Sequence, residues 1–358
     1  MISRVFSGMF ILIAATAGFT QPPLVPSESV QIGTPGASVS GPTLVEDETT
    51  VAKTRIAAEA AAMLEQRRYM DLNALAGKLR RDGQTFAQGD WPIAYFYSGV
   101  VDLPKGSTKV DWETHLAALR DWFENDPDSI SARVAYARAL IDYAWEARGS
   151  GWAKDVTDEG WRLFGERIVE ARRILIAAED LGRICPVYYS TRLRLGLVDG
   201  RPRADYEELF RECLAAFPNY TTFYLVKAHY LLPRWHGEDG EWEAFAAQSA
   251  DQIGGQAGDM LYAQIVWAMH DARLFGNIFK ETKVEWSRTQ SGFEGLCTRY
   301  PQSVSALSEY CYLAGQSPQG GRGLTRTLFP RLGNRVDLSV WRTKERWTQD
   351  RAWAFSSN

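Results

Sequence analysis

The stretch Tyr230-Leu-Leu-Pro-Arg-Trp-His-Gly-Glu-Asp-Gly-Glu-Trp-Glu-Ala-Phe-Ala246 decides the fold, because one apolar helix stops in it and another begins. Upstream, Tyr220, Phe223, Tyr224 and Leu231 recur at helical spacing, with Leu225 and Val226 apolar on the other side. That pattern predicts a helix buried nearly all round. Pro233 disfavours helical geometry at Leu232 and lacks a backbone donor, so the helix is expected to end there. Gly237 and Gly240 free the backbone to turn, and Trp242, Phe245, Ala246, Ser249 and Ile253 mark the apolar stripe of the next helix. The unit is a helix hairpin with two tryptophans at its corner.

The same reading extends outward. From Val51 apolar residues keep helical period, as in Trp161, Phe164, Ile168, Ala171, Leu175 and Ala178. Stops and restarts such as Asn125-Asp-Pro-Asp-Ser129 and Asp199-Gly-Arg-Pro202 punctuate them. The restart positions Pro127, Pro186, Pro218, Gly258 and Pro301 mostly follow one another at intervals near the roughly 34 to 47 residues of helix-hairpin repeats, the first interval being too long for one strict unit. The expected fold class is all-α, an irregular helix-hairpin array of the tetratricopeptide-like solenoid type. Residues 51–315 form that array, and residues 316–358 a basic, Trp-rich C-terminal helical extension.

Residues 1–17 carry one positive charge at Arg4, the apolar run Phe10-Ile-Leu-Ile-Ala-Ala and small residues at Ala15-Thr-Ala17, the layout of a secretory signal peptide. The run is too short to span a bilayer, and no later stretch is longer, so no transmembrane segment is expected in the mature chain. Residues 18–50, rich in Pro, Ser, Thr and Gly, read as a disordered tether that cannot bury enough surface to offset its ordering entropy. The expected location is exported, periplasmic or secreted. There disulfides persist. Three pairings of Cys185, Cys213, Cys297 and Cys311 are open in principle. The midpoint of Cys185 and Cys213 falls in the turn at Asp199, so an antiparallel hairpin sets them at one height and predicts a bridge. Cys297 and Cys311 flank Pro301 less evenly and are the second candidate pair.

Across 358 residues the formal charge is −4 and the pI about 5.7, which gives no electrostatic footprint for nucleic acid. Thirteen Trp, fifteen Tyr and sixteen Phe make an aromatic-rich chain whose rings suit the gaps between helices. Packing explains most tryptophans, with Trp152, Trp235, Trp341 and Trp347 the exceptions.

The motif Leu231-Leu-Pro-Arg-Trp-His-Gly237, with Glu241-Trp-Glu-Ala-Phe-Ala246 after it and Phe217-Pro-Asn-Tyr220 before it, resembles bacterial proteins grouped as domain of unknown function 4034. The close likeness covers about thirty residues, and a looser helical one covers most of residues 64–314. It implies an exported leader and a tetratricopeptide-like region, and assigns no activity.

No catalytic set emerges. The four histidines, His115, His229, His236 and His270, lack the spacing of a helical zinc site, and no Cys pair has metal-binding spacing, so no metal or cofactor is expected. Gly149-Ser-Gly151 is not a hydrolase elbow, and the Gly315 to Gly323 loop lacks a phosphate-loop ending. His236, Glu238, Asp239 and Glu241 do bring a titratable ring and three carboxylates into one turn. They suit acid–base chemistry or, more simply, a solvated corner with acids at a helix N-terminus. Arg234 has a planar fork for a carboxylate or a ring. The candidate binding residues are therefore Arg234, Trp235, His236, Glu238 and Trp242. The leading expectation is a scaffold for a protein or peptide partner, and the alternative is an envelope-acting enzyme centred on His236.

Overall fold

The computed structural model describes residues 44–86, 89–104, 106–149 and 153–356. The signal peptide, most of the tether and Trp152 lie outside the described residues. The chain is all-α, as expected. Helices α1 (Glu48–Glu65), α2 (Tyr69–Arg81), α3 (Pro92–Val101), α4 (Lys109–Asn125), α5 (Ile130–Arg148) and α6 (Asp158–Ile176) form the first half. A short α7 (Glu179–Gly182) leads to α8 (Pro186–Leu195), α9 (Arg203–Ala216), α10 (Thr222–Tyr230) and α11 (Glu241–Ile253). Then come α12 (Gly255–Asp271), α13 (Ile278–Glu281), α14 (Trp286–Arg299), α15 (Val304–Gln316), α16 (Gly321–Leu332), α17 (Leu338–Trp341) and α18 (Lys344–Phe355).

Caps written in the sequence start many of these helices. Thr108 and Asp111 close a reciprocal capping box on α4, and Ser129, Thr157 and Ser303 each accept from the backbone three residues on. Pro92 and Pro186 occupy the first helical turn, where a missing N–H costs nothing. Packing runs largely between neighbours along the chain: α4 on α5, α5 on α6, α8 on α9, α11 on α12, α12 on α14, α15 on α16. The helix that reaches most others is α5, which touches α2, α3, α4, α6 and α8 and is buried continuously from Ile130 to Trp145 except at Arg133. It is the axle of the N-terminal half.

The two ends of the array meet. Val45–Glu46 (β1) pairs in parallel with Arg335–Val336 (β2), and the Val45 amide donates to the Asn334 carbonyl at 3.0 Å. Asp47 then caps α1. Ordered structure thus begins inside the stretch assigned to the tether, and the C-terminal extension is built into the body rather than appended to it.

The cysteine pairing is overturned. All four cysteines are free and buried. The α8–α9 hairpin around Asp199 exists, but Cys185 sits ahead of α8 as its N-cap, in extended backbone, with Sγ 3.5 Å from the Tyr97 hydroxyl of α3. Cys213, on α9, lies within electrostatic reach of Tyr189 and Tyr206 instead. Equal height in a hairpin does not fix which way the side chain before the first turn points. Cys297 and Cys311 fall on α14 and α15, near Arg331 and Asp350 respectively, and are not bridged either. Two tryptophans are corrected as well: Trp341 and Trp347 are core residues, 1% and 2% exposed, whereas Trp161 on the supposed core stripe of α6 is 41% exposed. Ile253, at the end of its helix, is exposed too.

Candidate functional site

The corner is shaped by backbone approach more than by its proline. Helix α10 ends at Tyr230, two residues before the position that Pro233 alone implies, and three bonds fold the chain back: Trp235 N and Gly237 N donate to Leu232 O, and His236 N to Tyr230 O. A Cβ on Gly237 would lie 1.9 Å from Leu231 O, so only glycine fits. Gly240, at φ 81°, supplies the left-handed residue that opens α11.

This fold-back sends the five candidate residues in different directions. The His236 ring stacks on Tyr230 at 4.4 Å, Tyr230 stacks on Tyr206 at 3.7 Å, and His236 Nε2 lies 2.8 Å from the Leu197 carbonyl. Arg203 binds the His236 carbonyl and the Glu241 carboxylate, and that hydrogen bond holds the Glu241 carboxyl below its usual range. Glu238 is exposed, and its amide donates to Glu241. Asp239 is almost fully solvated. Trp242 is a core side chain, 2% exposed and packed against Phe275. Only Arg234 and Trp235 face the axle helix. Trp235 meets Trp145 edge to face at 5.6 Å, and the Arg234 guanidinium lies over the Trp235 ring.

Behind Trp235 the helices converge on a polar interior. Asp102 at the end of α3, His115 on α4, Arg138 and Asp142 on α5, Arg194 on α8 and His229 on α10 form a chain of electrostatic neighbours. Asp142 is ion-paired with Arg194, and the Arg138 guanidinium lies over Tyr97. Burial governs their ionisation. It pushes the Asp102 carboxyl up to about 6, with Arg138 opposing and Asp142 reinforcing. It lowers His115, and it lowers His229 to about 3 with help from the Arg234 and Arg194 charges. His229 is therefore a neutral imidazole at pH 7.

Several polar atoms here are buried without a hydrogen-bond partner: Asp102 Oδ2, His115 Nε2, both ring nitrogens of His229, and Trp235 Nε1. Nine other buried side-chain atoms, among them Trp91 Nε1, His270 Nδ1 and Trp347 Nε1, are likewise unpaired elsewhere among the described residues, so this feature is shared with the core at large. The outer edge is a ledge of stacked cations and indoles. Arg148 lies over both Trp145 and Trp161, and burial, followed by the Arg148 charge, lowers the Arg234 guanidinium below its usual range. Trp161 is the exposed end of that ledge.

Sequence reasoning found Arg234 and Trp235 and passed over Asp102, Asp142, Arg194 and His229. Polar residues inside a buried helix were the available signal: Arg138 and Asp142 are buried charges on α5, spaced i and i+4 on one face. Among the described residues no group of three or more His, Cys, Asp or Glu is placed to hold a metal ion, and no helix is long and apolar enough to cross a membrane. Comparison with protein-family models, with curated proteins and with solved structures finds no match to the chain.

Proposed function

We propose that the chain is an exported scaffold of repeated helix hairpins that binds a protein or peptide partner on the ledge made by Trp161, Arg148, Trp145, Trp235 and Arg234. One observation carries the reading: the Arg148 and Arg234 guanidiniums are laid on three tryptophan rings that run from the buried Trp145 through the half-buried Trp235 to the exposed Trp161. Arg and Trp are the residues enriched at interface hot spots, because they offer large flat surfaces and planar donor forks. The leader-like residues 1–17 and the likeness to the domain-of-unknown-function family support export and a tetratricopeptide-like repeat, and N-terminal sequencing of secreted protein tests the first.

The enzymatic reading centred on His236 draws no support from the geometry. Its Nε2 is occupied by the Leu197 carbonyl, and the Glu238 and Asp239 carboxylates stand in solvent.

Selection of displayed random peptides on the purified protein tests the proposal. Enriched peptides should share an aromatic or aliphatic residue that packs on the tryptophan faces. Their affinity should fall about tenfold or more with Trp161→Ala or Arg234→Ala. A library that yields no sequence-convergent binder, or binders indifferent to both substitutions, overturns it.

A further inference from the structure

We propose that the outer face of α6 is a self-association surface, on which a second copy of this chain packs antiparallel about a two-fold axis near Arg172.

The apolar arc of α6 is wider than its cover. Phe164, Ile168, Ala171 and Leu175 turn inward, where the helix packs on α5 and α8. The residue after each of them, Gly165, Val169, Arg172 and Ile176, belongs to a second stripe about 100° further round the helix. All four are exposed, Val169 by 68% and Ile176 by 62%, and a Cβ on Gly165 would meet nothing within 4 Å. Two branched apolar side chains left open on one stripe differ from singly scattered surface residues, which need no explanation.

The relief of this face fits a copy of itself. A cleft of about 230 Å³ is lined by the buried Leu175 and Leu195 and by Asp205 of α9. A second, of about 380 Å³, is lined by Val169, Arg173 and Ala177. Arg172 and Ile176 belong to the walls of both, so they stand as a ridge between two grooves. Helices interlock through such relief, the ridge of each seated in a groove of the other.

Charge favours a second copy over a foreign partner. Around the clefts Arg173, Arg192 and Arg201 are ion-paired with Glu170, Glu212 and Asp199. Arg172 has no hydrogen bond, ion pair or ring contact among the described residues. Asp205 is exposed and forms no ion pair among the described residues, and its electrostatic neighbour Arg201 is already held by Asp199. The patch thus carries one uncompensated cation and one uncompensated anion. A two-fold axis lets each Arg172 face the Asp205 of the other copy, whereas a strongly acidic or basic partner would meet a like charge at one of the two.

This surface is separate from the ledge. Trp161 lies eleven residues before Arg172, about 16 Å along the helix, so an antiparallel pair carries its two ledges at opposite ends.

Sedimentation equilibrium of the purified protein tests the proposal. A reversible dimer is expected, which Ile176→Glu should convert to monomer and which Ile253→Glu, at the exposed end of α11, should leave intact. Arg172→Glu and Asp205→Arg should each weaken the dimer about tenfold or more by setting like charges across the axis, and the double variant should return it to within a few-fold of the unaltered chain. The altered side chains are exposed, so melting curves should not change. A chain that stays monomeric at hundreds of micromolar, a dimer indifferent to Ile176→Glu or lost with Trp161→Ala, or a double variant no tighter than either single one overturns the proposal. A monomeric chain that captures displayed peptides through Ile176 would overturn it too, and would make a foreign helix the occupant.

Discussion

The imidazole of His236 lies 4.4 Å from the phenol ring of Tyr230 and within 13° of parallel to it, so the histidine that looked most reactive is the outer plate of a three-ring stack. Its role is to fasten the corner to the α8–α9 turn through Leu197. His236→Ala should therefore lower unfolding free energy by about 1 kcal/mol, for one stacking contact and one hydrogen bond at an exposed position, and leave peptide affinity unchanged. Urea denaturation paired with a binding isotherm reads both. A binding loss without a stability loss would reinstate His236 as a site residue.

Gly237→Ala is expected to be far more damaging. The added methyl meets the Leu231 carbonyl at 1.9 Å, and that carbonyl belongs to the backbone that shapes the corner. The expected cost is on the order of 3 kcal/mol or more, visible as a Tm drop of several degrees. Gly200→Ala, where no atom lies within 4 Å but φ is 72°, should cost about 1 kcal/mol from backbone strain alone. Equal effects at the two positions would contradict the close approach.

Acid should destabilise the protein from the histidines upward. His229, lowered to about 3, and His270, lowered to about 4, are held below their unfolded value near 6.5 by burial, and in each the Arg neighbours add to the effect. Groups with depressed folded pKa bind their proton only on unfolding, so the stability they contribute is present above about pH 6.5 and is lost as pH falls toward 4. Asp102, raised to about 6, has the opposite sign: its contribution is complete below about pH 4 and fades as pH rises through 6. Burial lowers His115 in the same direction as the other two histidines and raises Asp47 and Asp350 in the direction of Asp102, so the histidine contribution is read at a single site. His229→Phe should remove about 1.4 kcal/mol per pH unit of slope between pH 4.5 and 6. An unaltered slope would show that His229 is not neutral in the folded state.

The thiols give a test of the chain's redox state. Cys213, Cys297 and Cys311 are pushed up by burial, Cys297 to about 11, and all four cysteines lie in the interior. Folded protein isolated without reductant should react with Ellman's reagent slowly, and in guanidinium it should release four equivalents. Two equivalents would restore one of the bridges that the sequence suggested.

The helical class, the α8–α9 and α10–α11 hairpins and many helix starts were legible because periodicity, caps and Pro or Gly breaks are local properties. Residues Phe164, Ile168, Ala171, Leu175 and Ala178 all reach the core, as their spacing said. Trp161 did not, because a helical stripe fixes an angle and not where the neighbouring helix ends. The candidate site was half legible for the same reason. Arg234 and Trp235 stand out in a short motif, whereas Asp102, Asp142, Arg194 and His229 come from four separate helices and become a group only when α5 gathers them. The disulfide inference failed at the last rotation, since spacing gives height along a hairpin but not the azimuth of a residue that sits before the helix begins.

The parallel pairing of Val45–Glu46 with Arg335–Val336 sets an order of events in time. Bringing together strands separated by about 290 residues of unstructured chain would cost on the order of 5 kcal/mol in closure entropy, more than two residues of ladder can return. The pairing can form only once the intervening helices have stacked and carried the ends toward each other, so it is a completion step rather than a nucleus. A chain emerging N-terminus first from a ribosome or a translocation channel holds Val45 unpartnered until Val336 has followed it out. The first residues of the body are thus the last to be secured, and any chaperone that attends this protein meets them bare for the whole of its synthesis.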